Sequence, residues 1–133
     1  MEKMATFAFE KLVRDKTEQR MQDPEVTLFK KQLSELEYKK ELCKKLQEEV
    51  EEVVESNNKE ELFNELADVL EVIHAFAKLN GQSIQDVEKV RKQRFDLRGG
   101  FYNRVYITTM KAPKNHKYSD YCRRAPKKYP QIG

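Results

Sequence analysis

Four carboxylates in residues 42–79, LCKKLQEEVEEVVESNNKEELFNELADVLEVIHAFAKL, occupy places where apolar side chains belong. The stretch reads as two amphipathic helices joined by a short link, Ser56, Asn57 and Asn58. At about 100° per residue, Leu42, Leu46, Val50 and Val53 of the first helix fall within an arc of about 80°, which should be buried. Glu49 falls about 20° off the edge of that arc, beside Leu42, and Glu52 about 60° further round. In the second helix Leu62, Leu66, Val69, Leu70, Ile73, Phe76 and Ala77 define the apolar face. Glu65 lies there between Val72 and Phe76, and Asp68 lies beside Leu79. A carboxylate forced into an apolar face is costly unless it is paired or binds a cation. Four of them, with no Lys or Arg between them on those faces, call for a metal.

The register agrees. A short link makes the helices antiparallel neighbours, and pairing outward from it brings Glu49 and Glu52 level with Glu65 and Asp68. The i,i+3 spacing puts both members of each pair on one side of their helix. An all-oxygen cage of this kind suits Mg²⁺ or Mn²⁺ rather than zinc. The plainer reading of Glu-rich helices is a solvated acidic face, and it fits Glu51, Glu55, Glu60 and Glu71. Glu48 points about 100° away from Glu49 and is a weaker candidate.

Glu48-Glu49-x-x-Glu52, twelve residues, then Glu65-x-x-Asp68 resembles the signature of the MazG-like nucleotide pyrophosphohydrolases. That superfamily includes phosphoribosyl-ATP pyrophosphohydrolases and dimeric dUTPases. KLVRDK at residues 11–16 and RGGF at residues 98–101 are similar to the flanking motifs of a short, single-domain branch, so the resemblance covers residues 11 to about 107. Relatives commonly continue the first motif with Ile-Pro where this chain has Thr17 and Glu18, so the following turn should differ. The resemblance implies Mg²⁺-dependent hydrolysis of a nucleoside triphosphate to the monophosphate and pyrophosphate. On it, Glu49, Glu52, Glu65 and Asp68 are the metal-binding and catalytic set, one of them or the metal activating water, with Glu52 a candidate base. Lys11, Arg14 and Lys16 would close over the polyphosphate.

The elements that must position these residues are legible from their ends. Residues 1–22 read as a short irregular or helical arm, with Phe7, Phe9, Leu12 and Val13 as apolar anchors. Asp23-Pro24 breaks the chain, and the alternation at residues 26–29 predicts a short strand. Ser34 with Glu37 is a capping box opening a helix to about Ser56. Asn58 with Glu61 opens the second, which ends near Asn80 with Gly81 beyond it. Ser83 with Asp86 opens a third, stopped by Gly99-Gly100. On it Arg94 and Arg98 stand one turn apart, so two guanidinium forks can face phosphate oxygens together; the alternative is a solvated basic helix. Residues 101–110 alternate as a second strand, paired with the first. His74 reads as a residue at the edge of the core rather than a ligand. The expected fold is mainly α: a helical hairpin, a third helix and a small two-stranded sheet, assembling as an oligomeric helical bundle.

A chain of 133 residues suits one domain with a modest core. Its 37% charged residues carry a net charge of only +3, because an acidic middle offsets basic ends. Cys43 and Cys122 form no metal or redox spacing. No apolar run reaches membrane-spanning length, and MEKMATFAF is too short and too acidic for a secretory leader. The expectation is a cytoplasmic protein without membrane contact. Residues 1–110 read as the catalytic domain and residues 111–133 as an extended tail with seven Lys or Arg, three tyrosines, three prolines and one acid. That tail could contact RNA or DNA, or the acidic body of a neighbouring subunit. The readings competing with an enzyme are a nucleic-acid-associated helical module and a helical interaction protein retaining the acidic cage. Neither accounts for four inward acids. Nothing identifies a pocket for a particular base. The second helix is apolar over more than half its circumference, more than this chain can cover. A homodimer or tetramer is therefore expected, and the resemblance points the same way.

Overall fold

The computed structural model describes residues 3–133. Among them are five helices and no strand: α1 (Thr17–Arg20), α2 (Glu35–Glu55), α3 (Lys59–Leu79), α4 (Ile84–Arg98) and α5 (Lys117–Arg123). The chain divides into two compact units, Met1–Leu97 and Arg98–Gly133.

In the first unit α2 and α3 form the hairpin, and among the described helices of that unit they are the pair that packs closely. Each boundary has a local chemical cause. Ser34 accepts from the Glu37 N–H while Glu37 accepts from the Ser34 N–H, so the capping box forms at the start of α2. Asn58 caps α3 by accepting from the Glu61 N–H, and Glu61 reaches back to the Asn57 N–H. Glu55 and Lys59 are thus separated by three non-helical residues, too few for anything but an antiparallel return. At the far end Gly81 takes φ +69°, and the N–H groups of Gly81 and Gln82 donate to the carbonyls of Lys78 and Ala77. This pairing closes the helix with a residue in a conformation that costs a side chain about 1 kcal/mol or more. Ser83 and Asp86 then cap α4 reciprocally, and Gly99 at φ +76° follows its last turn.

The seam of the hairpin is thin. Leu42, at 2% exposure, is joined by Val72 and Ala77 as the fully buried apolar residues among those described. Phe63, Leu66 and Leu70 share one side of α3 at i,i+3,i+7 spacing and remain exposed, Phe63 by 60%. Val50 and Val54 do the same on α2, Val54 by 79%. His74 is exposed rather than at a core edge.

The expected two-stranded sheet is absent: residues 26–29 and 105–110 are irregular. A two-stranded ribbon is marginal unless an apolar face packs on something. Here Phe29 is 91% exposed and Ile107 77% exposed, so neither segment has the backing that alternation alone implied. Arg104 at φ +56° also interrupts the extended run. The tail differs too. In the second unit, residues expected to be extended form α5, capped by His116, whose Nδ1 accepts from the Tyr118 N–H. Seven residues make two turns, too short for periodicity to announce them.

Candidate metal centre

Glu49 and Glu52 face Glu65 and Asp68 across the hairpin seam, and one oxygen from each carboxylate lies within 4.8 Å of the others. All four are half-buried. The geometry follows from the caps: starting α2 at Glu35 and α3 at Lys59 fixes the angular position of every later residue, and the short link fixes the level at which the i,i+3 pairs meet.

The electrostatics are those of crowded like charges. Burial, the neighbouring Glu52 carboxylate and then Asp68 push Glu49 up to about 7. Glu65 is also raised, first by Glu52, then by burial and Asp68. Oε2 of Glu49 and Oε2 of Glu65 are buried with no hydrogen-bond partner among the described residues. An acceptor withdrawn from water without a donor is costly. Two in one cage of hard oxygen donors fit a divalent cation of the Mg²⁺ or Mn²⁺ type.

The arm preceding α2 brings cations to the rim. Arg14 Nη2 donates to Oδ1 of Asp68 at 2.8 Å, and its Nη1 lies 3.8 Å from Glu71. Lys11 Nζ donates to Oε1 of Glu48 at 3.0 Å. Lys45, one turn earlier on α2, holds the other Glu48 oxygen at 3.3 Å. Lys11 lowers Glu48 and is itself raised by Glu48, with smaller contributions from Glu52 and Glu49. Glu48 is therefore the peg on which the arm hangs, a part that helical angles alone did not assign to it. Glu71, read from the sequence as solvated, fixes the other side of Arg14.

Within the first unit, Lys16 and Arg94 make no ion pair with this group among the described residues. Lys16 occupies the N-cap position of α1 without a side-chain capping bond and is exposed, with no ion pair among the described residues. Arg94 lies on α4, which does not pack along α2 or α3, and it pairs with no carboxylate among the described residues. Arg98 belongs to the second unit and is likewise exposed there.

One hollow opens on the cage and another lies beside Glu71. One, of about 300 Å³, is lined by Glu52, Glu55, Ser56, Glu61 and Glu65 at the hairpin link. The other, of about 660 Å³, includes Tyr38, Glu71, His74 and Gln82. It is lined by Glu71, which pairs with Arg14, and by Asp15 of the arm, but by none of the four cage carboxylates.

An all-helical hairpin with four carboxylates gathered on its seam is a set of hard oxygen donors that suits a divalent cation. Residues 8–94 match the family model described as phosphoribosyl-ATP pyrophosphohydrolase. The chain belongs to that family. Its class is thereby that of a pyrophosphohydrolase acting on nucleotides, a hydrolase of phosphoric anhydrides from a typically metal-dependent family. No curated protein and no solved structure matches the chain. None of the described helices is long and apolar enough to cross a membrane.

Proposed function

We propose that the chain hydrolyses a nucleoside triphosphate to the monophosphate and pyrophosphate, using Mg²⁺ or Mn²⁺ held by Glu49, Glu52, Glu65 and Asp68. The observation that carries this reading is the cage itself, with four oxygens within 4.8 Å and two buried oxygens lacking a donor among the described residues. When bound, the cation neutralises phosphate charge and makes water a better nucleophile. Glu52, which lines the hollow at the hairpin link, takes the proton of the water that attacks the α-phosphorus. The α–β bridging bond breaks and pyrophosphate leaves. Lys11 and Arg14 exchange their carboxylate partners for the departing phosphates, where forked and point donors both serve. The nucleoside lies towards the hollow containing Tyr38 and His74.

The assembly is a homodimer or tetramer joined through the exposed stripe of Phe63, Leu66 and Leu70 with Val50 and Val54. Burying side chains of this size contributes about 1.5–3 kcal/mol each. Lys16, Arg94 and Arg98 complete the anion-binding set of a neighbouring subunit. Pyrophosphate release from a panel of nucleoside triphosphates, with and without Mg²⁺, tests the reading. Release that requires the metal is expected; no release from any nucleotide in either condition would overturn it.

A further inference from the structure

The family match ends at residue 94, and the basic residues beyond it form a folded surface of their own. Between residues 98 and 133 nine Lys or Arg stand against a single acid, Asp120. Only Arg123 pairs with that acid among the described residues, at 3.3 Å. The other cations of the unit have no carboxylate partner there. Local hydrogen bonds hold the surface together: Arg123 Nη1 donates to the Lys114 carbonyl and the Ser119 hydroxyl to the Pro113 carbonyl. Lys117 and Tyr121 of α5 and its C-cap residue Arg124 recur at i,i+4,i+7 and share one side, with Tyr118 next to Lys117. A turn then carries the chain back, the Lys128 and Tyr129 N–H groups donating to the Ala125 carbonyl. It sets the Tyr129 ring 5.7 Å from that of Tyr121, with Lys127 and Lys128 immediately before it. All three tyrosines are exposed, Tyr118 by 57%.

We propose that this surface, centred on Lys117, Tyr118, Tyr121, Arg124 and Lys128, binds single-stranded nucleic acid. Cations without a carboxylate partner track a phosphate backbone, and the exposed tyrosine rings between them, Tyr118 with the Lys117 ammonium 5.4 Å from its centroid, offer stacking surfaces that accept any base. An acidic protein surface would need the cations and leave the tyrosine faces without a task. The inference does not rest on the hydrolase reading, since none of these residues belongs to the cage.

The test is fluorescence polarisation of the full chain with labelled oligo-dT and oligo-U of about 20 nucleotides, over a range of salt concentrations. Binding should weaken steeply with salt, with a log–log slope of about −0.7 per phosphate contacted. Tyr118→Leu should weaken it about tenfold while Tyr118→Phe keeps it. Lys127→Glu with Lys128→Glu should lower both the affinity and the salt slope, and leave pyrophosphate release unchanged. The DNA and RNA arms report which sugar is preferred. Absence of binding overturns the proposal. So does binding equal in Tyr118→Leu and wild type, which would mark a simple polycation. Dissociation of an oligomer by the double Lys variant, without any oligonucleotide binding, would assign the surface to a second copy instead.

Discussion

Arg14 donates from Nη2 to Oδ1 of Asp68 at 2.8 Å across 54 positions of sequence, and this pair joins the arm to the carboxylate cage. Both side chains are partly exposed, so the pair adds little to folding, under about 1 kcal/mol. Its consequence is to keep a guanidinium poised at the edge of four acids.

Arg14→Ala should therefore unfold in urea within about 1 kcal/mol of the wild type, while its kcat/KM falls about a hundredfold. Arg14→Lys should recover part of the loss, because it keeps charge but not the fork. Equal losses of stability and activity would show that the arm is structural only.

Glu49→Gln should abolish pyrophosphate release. In the metal-free protein it should raise the thermal midpoint, because it removes the half-buried carboxylate whose burial and crowding by Glu52 and Asp68 push it up to about 7. Asp68→Asn should be equally inactive but gain no stability, since it also gives up Arg14. Added Mg²⁺ should stabilise the wild type, by about 2.7 kcal/mol at a hundredfold excess over Kd, and leave Glu49→Gln unmoved. Wild-type turnover by either variant would remove the cage from the mechanism.

The start of α2 should lose stability in acid. Lys31, then the Ser34 N–H and hydroxyl, hold Glu37 down to about 2 from 4.5. A group depressed on folding stabilises fully above its unfolded value and loses that contribution as pH falls through the folded one. The difference in urea midpoint between wild type and Glu37→Gln should be constant from neutral pH to about 5 and vanish near pH 2. A difference that survives at pH 2 would mean the carboxylate charge is irrelevant.

Phe63→Glu combined with Leu70→Glu should give a monomer in sedimentation equilibrium at micromolar concentration, because the stripe would then carry charge into the proposed apolar interface. A wild-type chain that is already monomeric and fully active would show that the stripe covers nothing.

The sequence by itself determined what is local or periodic. Ser34, Glu37, Asn58, Glu61 and Gly81 carry their capping roles in their own chemistry, and they set where α2 and α3 begin and end. The i,i+3 spacing of Glu49 with Glu52 and of Glu65 with Asp68, counted from a short link, was enough to bring four acids level. What pairs across the chain was decided only by the tertiary structure. Lys11 on Glu48 and Arg14 between Asp68 and Glu71 depend on how the irregular arm lies along the hairpin, and irregular backbone has no period to read. The strands read at residues 26–29 and 101–110 failed for the complementary reason. Alternation states which side a residue would take in a sheet, but a sheet exists only where another strand and a packing surface meet it.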